Sequence, residues 1–214
     1  MKKLYEENDI KSIATSIRAK TGKSDAMKVS EMSGEIDGID AQLDAVLSKT
    51  IVNFENSTVK KLGSGVLYEC KSLESLKCSA VQSIDYMTCL SCTALADVSL
   101  PSLTYVGNQS FGGCTALAKL DFNELATIYN RAFYGCSKLT VLIIRGSNVC
   151  SLKSTNNLTN TPIASGTGYI YVPSSLIDSY KTATNWSAYA DQFRALEDYT
   201  VDGTTTGELD ESKI

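Results

Sequence analysis

The chain has 214 residues, 24 acidic and 20 basic side chains, a net charge of -4 and no histidine. That balance argues against a nucleic-acid partner, which calls for a basic face, and the missing imidazole excludes Ser-His and Cys-His nucleophiles and the commonest general base. No apolar run reaches the roughly 18 residues of a membrane span, and residues 1–20 carry charge where a secretory leader has an apolar core, so synthesis in the cytoplasm without a signal peptide is expected.

Residues 9–20 predict a short helix. Ile10, Ile13, Ala14 and Ile17 form a stripe at helical spacing, with Asp9 suited to the N-cap and Gly22 to the left-handed position that ends it. A second helix is predicted from Ser30. Val29, Met32, Ile36, Ile39, Leu43 and Val46 alternate three and four residues apart, the a/d spacing of a heptad. Gly34 and Gly38 each weaken it by about 1 kcal/mol relative to alanine. Two roles fit the stripe: a cover for the open end of the repeat array that begins near residue 48, or the seam of a homo-oligomer.

Residues 48–58 read as a half-coil, with Ile51 and Phe54 in register with the repeat beyond. From Val59 to Gly146 the chain divides into four consecutive segments of 22 residues. The same positions stay apolar in each: Val59, Val81, Leu103 and Leu125 at position 1; Leu62, Ile84, Val106 and Ile128 at position 4; Leu67, Cys89, Phe111 and Phe133 at position 9; Cys70, Cys92, Cys114 and Cys136 at position 12; Leu73, Leu95, Leu117 and Leu139 at position 15. Positions 18 and 20 are apolar as well. One such segment cannot close a core, so stacked coils must bury these positions against each other in a solenoid. Positions 15 to 20 predict one short strand per coil, paired in parallel about 4.8 Å apart. Gly63-Ser64-Gly65 and Gly107-Asn108-Gln109 are turn chemistry.

By the two-residue pleat, positions 17, 19 and 21 face outward. They supply the candidate binding surface: Ser75, Lys77, Ser79, Asp97, Ser99, Lys119, Asp121, Asn123, Val141, Ile143 and Arg145. Val141 and Ile143 either mark an apolar contact patch or lie under the C-terminal segment. Asp97 and Asp121 could stand as a carboxylate pair, but read as solvated strand surface. Tyr86, Tyr105, Tyr129 and Tyr134, on other positions, form a second candidate surface.

The seven cysteines fall on apolar positions, including Cys78, Cys89 and Cys150, the last at position 4 of a fifth coil. The nominal C-x-x-C of Cys89 and Cys92 is thereby explained as core rather than as a redox or zinc site, which needs four closed ligands. No phosphate-binding loop is present, and neither catalytic residues nor a cofactor or metal is expected.

The fifth coil starts at Val149 and Cys150 and dissolves into Lys153 to Asn157. Loss of the apolar positions calls for a terminal cap. Residues 161–199 fit one: a strand over 168–172 stopped by Pro173, a helix capped by Ser174 or Ser175 with Leu176, Ile177 and Tyr180, and a further helical stripe of Trp186, Tyr189, Ala190, Phe193 and Leu196 with Asn185 as N-cap. Residues 200–214 read as a polar tail.

The repeat resembles the BspA-like leucine-rich repeat. Leu103 to Gly107 with Phe111 and Cys114, Ile128 with Ala132, Phe133 and Cys136, and the strand ending Leu100-Pro101 carry the likeness. Residues 10–36, through Ile10, Ile13, Ala14, Ile17, Arg18, Lys20, Thr21, Gly22, Met32 and Ile36, resemble the N-terminal module of tail-associated proteins of phages and prophages of gut bacteria, although Met27-Lys28-Val29 stands where that family carries Leu-Thr or Leu-Pro. The run from Ile170 to Leu196 resembles the terminator that follows this repeat class. Together these imply an α+β chain: a helical attachment or oligomerisation module over 1–47, leucine-rich repeats over 48–150, a C-terminal cap over 151–199 and a tail over 200–214. They imply a non-enzymatic structural or receptor-binding protein of a virion tail. Its partners would be other tail proteins and a protein or cell-envelope glycan, and its first-expected oligomer a trimer. The alternative is a cell-surface adhesin or protein-interaction module of the BspA-like class.

Overall fold

Apolar side chains recurring every 22 residues can all be buried only if successive coils superimpose, and the strand register shows that they do. The computed structural model describes Val46, residues 48–201 and residues 204–205. The helices predicted over 9–20 and from Ser30, with Val29, Met32, Ile36, Ile39 and Leu43, lie outside the described residues. In chain order the strands are β1 (Asn53–Glu55), β2 (Lys61–Leu62), β3 (Ser75–Lys77), β4 (Ser83–Ile84), β5 (Asp97–Ser99), β6 (Tyr105–Val106), β7 (Lys119–Phe122), β8 (Thr127–Ile128), β9 (Val141–Ile144), β10 (Ser151–Leu152), β11 (Tyr169–Val172) and β12 (Phe193–Ala195). A short antiparallel pair, β13 (Thr200–Val201) and β14 (Thr204–Thr205), follows.

Each coil contributes two strands rather than the one expected. The odd-numbered strands carry the expected ladder, with Leu76 opposite Val98 and Leu120 opposite Leu142, all parallel. The even-numbered strands from β2 to β10 make a second, inner parallel sheet, in the order β10-β8-β6-β4-β2. Position 4 is its single inward residue, and Leu62, Ile84, Val106, Ile128 and Leu152 are all buried there. Phe54 pairs with Leu76, as its register predicts. The first ladder is interrupted among the described residues: β1-β3-β5 form one sheet and β12-β11-β9-β7 another. Pro101, which has no N–H to give to a ladder, lies just beyond β5.

Two backbone positions per coil are left-handed. Gly65, Met87, Gln109 and Arg131 hold φ of 67, 55, 56 and 55° at position 7, and Glu69, Ser91, Gly113 and Gly135 hold 56, 63, 69 and 72° at position 11. These bends wrap the coil between its two strands. The N–H groups between them donate to carbonyls of the next coil, for instance Leu67 N–H to Thr88 O at 2.9 Å and Cys89 N–H to Ser110 O at 2.7 Å. Buried hydroxyls at position 8 complete the arc. Thr88 Oγ1 donates to Gly63 O at 3.0 Å, and Ser110 Oγ donates to Gly107 O at 2.7 Å.

The cysteines of position 12 do more than fill space. Cys92, Cys114 and Cys136 donate their thiols to Leu67 O, Cys89 O and Phe111 O at 3.0, 3.2 and 3.0 Å. Each bond ties a coil to the one before it. This residue type combines a small apolar volume with a weak donor.

The fourth coil is longer than the others. Thr127 pairs with Ser151 and Ile128 with Leu152, so Leu152, not Cys150, occupies position 4 of the fifth coil. Cys150 is nevertheless buried.

Beyond it, β11 and β12 continue the outer ladder in parallel. Between them runs α1 (Ile177–Thr182), preceded by a 3-10 turn whose N-cap position is Pro173 rather than a serine. The helical stripe expected after Asn185 is only partly present. Residues Trp186–Gln192 form a kinked 3-10 segment, Phe193 is in β12, and Leu196 opens a separate turn. Asn185 is left-handed and caps nothing with its side chain. Phe193 is drawn into the sheet because its ring packs between Tyr180 and Trp186, at 5.3 and 5.8 Å, where a helix would turn it away.

This aromatic group closes the edge of the inner sheet with side-chain donors. Trp186 Nε1 donates to Cys150 O at 2.6 Å, Asn185 Nδ2 to Leu152 O at 2.8 Å, and Tyr189 Oη to Thr155 O. The Cys150 N–H donates to Tyr180 Oη at 2.9 Å. An unpaired strand edge would otherwise offer these groups to another chain.

Candidate binding surface

The outward positions of the odd-numbered ladder divide into a free part and a closed part. Lys77, Ser79, Asp97, Lys119 and Asn123 are exposed and Ser99 is half-buried. Lys77 and Asp97 form an ion pair across β3 and β5 at 2.9 Å. A shallow cavity of about 380 Å³ opens beside them, lined by Glu55, Asn56, Ser57, Lys77, Cys78, Ser79 and Ser99. Ser75 is not available: it is buried, and its Oγ has no hydrogen-bond partner.

Three more of the expected surface residues are withdrawn. Arg145 grips Asp121 with two bonds, Nε to Oδ1 at 2.8 Å and Nη2 to Oδ2 at 2.7 Å, and the two side chains are only 12% and 20% exposed. Ile143 is wholly buried although it projects away from the core cluster. It lies between Asp121 and Tyr171 in the sheet. Tyr199 packs on Tyr171 with ring centroids 4.9 Å apart, and Lys119 Nζ stands 5.7 Å from the Tyr199 ring. The chain after β12 thus folds over this end of the ladder. Burial, and then the charge of Asp121, push the Tyr199 phenol up. Ile143 is covered from the C-terminal side, while Val141 stays half-buried beside Tyr169. Val46, expected on an oligomer seam, is half-buried and packs against the core of the repeats; the other residues of that seam lie outside the described residues.

The even-numbered ladder shows a second outward face. Positions 3 and 5 flank the inward position 4, and side chains meet there along a diagonal from one coil to the next. Lys61 pairs with Asp85 at 2.9 Å, and Tyr105 meets Tyr129 with centroids 5.0 Å apart at 43°. Between them, on the same diagonal, stand Ser83 and Gly107. Tyr86 and Tyr134 are exposed elsewhere on the coil, and Arg131 lies 5.6 Å from the Tyr134 ring. Lys61, Ser83 and Asp85 escaped sequence reading because a two-residue strand has too little alternation to announce itself. The signal was the polar residue on either side of position 4.

The thiols have no reactive environment. All seven are free and buried. Burial pushes Cys70 and Cys78 up to about 11 and Cys136 and Cys150 up to about 12, the opposite of an activated nucleophile. Among the described residues, no group of three or more metal-ligating side chains converges, and no helix is long and apolar enough to cross a membrane.

Two in-register parallel ladders around a leucine and cysteine core define a leucine-rich-repeat fold. Residues 46–140 match the BspA type leucine rich repeat region, in six copies. Among solved structures, the chain is similar to a leucine-rich repeat protein from Bacteroides ovatus, at 20% identity and a TM-score of 0.45, over 68% of this chain and 42% of that one. This chain therefore spans less than half the length of that structure. No curated protein matches it.

Proposed function

We propose that the chain is a non-enzymatic binding module, a solenoid whose buried positions are fixed and whose outward positions form the recognition surface. The observation that carries this is the register itself. Side chains 22 residues apart stand side by side on two ladders, as in Lys119 beside Val141 on one and Ser83 beside Tyr105 on the other. The outward members change chemical character from coil to coil while the inward ones stay apolar, and repeat arrays bind through such extended faces. The BspA-type match supports an adhesive or protein-interaction role at a bacterial surface. The resemblance of residues 10–36 to tail modules supports the same surface carried on a phage or prophage-derived tail. We assign residues 1–47 to attachment, 151–199 to closing the array and 200–214 to a tail. The partner is a protein or a cell-envelope glycan.

The test is adherence of the purified chain to bacterial cells and to isolated envelope. Lys77, Asp97, Lys119 and Asn123 are changed together to alanine, each change moving stability by no more than about 0.5 kcal/mol. Lost adherence at unchanged thermal stability places the site on the outer ladder. Unchanged adherence removes that ladder from the function.

A further inference from the structure

The even-numbered ladder carries a notch. Its floor is Ser83 and Gly107, and one wall is the Lys61–Asp85 ion pair. The other wall is the Tyr105–Tyr129 ring pair. Each wall is one step along the ladder from the floor, so the walls stand two coil spacings apart, about 10 Å. The floor is held bare by the backbone. A Cβ on Gly107 would lie 2.7 Å from Asp85 C and 2.8 Å from Ile84 O.

We propose that this notch is a subsite for a neutral pyranose unit of a glycan, a reading that rests on the chain being a binding module. The walls select the chemistry. Tyr105 and Tyr129 are half-buried, rings with apolar faces and hydroxyls at their tips, the amphipathic surface that a sugar's C–H face and hydroxyls match. The phenol of Tyr105 is pushed up first by burial, then by Tyr129 and by Asp85, with Lys61 pulling the other way. Lys61 and Asp85 are already closed on each other and sum to zero charge. A charged ligand must break that pair, whereas a polyol donates to Asp85 and accepts from Lys61 while the pair persists. Ser83 adds a hydroxyl from the floor. No aliphatic side chain contributes to floor or walls, so a lipid chain or an apolar helix face finds nothing to bury against.

The experiment is saturation-transfer NMR on the full chain with maltohexaose, cellohexaose and chitohexaose as probes, and with polygalacturonate as the charged counterpart. Transfer to at least one neutral probe is expected. Tyr105→Ala and Ser83→Trp should each weaken it at least about tenfold, the effect of losing one good contact or filling the floor. Ser83 points outward, so S83W should keep the parent's thermal stability. No transfer to any neutral probe, preference for polygalacturonate, or undiminished binding by folded S83W overturns the proposal. A silent notch in a chain that still adheres to cells through the outer ladder defeats the sugar subsite and leaves the binding module standing.

Discussion

Gly63 and Gly107 occupy the same position of the repeat, neither at positive φ, yet the structure assigns their alanine variants opposite signs. At Gly107, the new Cβ would sit 2.7 Å from Asp85 C, 2.8 Å from Ile84 O and 2.9 Å from Asp85 O. Ordinary carbon contacts begin near about 3.5 Å, so the coils must separate by roughly 0.7 Å at that point. All three obstacles are backbone, held by Gly107 N–H to Ile84 O at 2.8 Å, Ser110 Oγ to Asp85 O at 2.8 Å and Asp85 N–H to Leu62 O at 3.0 Å. Overpacking costs about 1–3 kcal/mol and one weakened ladder bond about 1 more, so Gly107→Ala should destabilise by about 2–4 kcal/mol. At Gly63 nothing lies within 4 Å, and alanine there should stabilise by about 0.4–1 kcal/mol by restricting the unfolded chain. Urea unfolding followed by far-ultraviolet circular dichroism measures both as shifts in midpoint at constant slope. A Gly107→Ala chain within 0.5 kcal/mol of the parent would refute the close approach of the second and third coils and show that their spacing gives way freely.

Native thiol labelling should be negligible until denaturant is added, and Cys114→Ala should cost about 1–2 kcal/mol for lost packing and the bond to Cys89 O; rapid native labelling contradicts the buried ladder. Ser91→Gly should stabilise by about 0.5 kcal/mol and Gly113→Ala destabilise by about 1 kcal/mol, since both hold left-handed backbone and alanine at Gly113 meets nothing closer than 3.6 Å; equal stabilities would sink the argument. Alkali should weaken the fold. The folded pKa values, about 12 for Cys136, Cys150 and Tyr180, stand above the ordinary 9.0 and 10.0, so the unfolded chain loses protons first. The urea midpoint should hold up to about pH 8 and fall from pH 9 upward; a flat profile to pH 11 would show that these groups titrate freely in the fold. Tyr199→Ala should uncover Ile143 and cost about 1–2 kcal/mol, read by thermal unfolding.

What the sequence made legible was the burial that repeats. A residue buried in every coil leaves the same kind of letter every 22 positions, so the burial of Leu76, Phe111 and Leu139 can be read from spacing alone. What it hid was the second, two-residue strand of each coil, too short to show alternation, and much that occurs once or is contributed from afar. Ile143 looks solvent-facing by pleat, and its cover comes from Tyr171 and the chain near Tyr199. Cys150 shifted because of residues added in a single coil, which a strict period cannot foresee. Phe193 sits at helical spacing from Tyr189 and still joins a strand, because the pairing offered by β11 outweighs local pattern. The role of Cys92, Cys114 and Cys136 as donors was invisible in another way: apolar burial alone already accounts for the residue type, and only the position of the facing carbonyl reveals the bond.

The four side chains that finish the inner sheet, Tyr180, Asn185, Trp186 and Tyr189, all bond to backbone between Cys150 and Thr155. The furthest upstream that any of the four reaches is Asn148 O, which accepts from Tyr180 Oη at 3.5 Å, so these bonds touch no coil before the last full one and do not depend on how many precede it. Duplicating residues 103–124 in place would lengthen the stack by one step of about 4.8 Å and leave every one of those bonds intact. Reach is therefore an adjustable quantity in this architecture, set by the number of modules in tandem, while the terminus is a standard part that fits an array of any length.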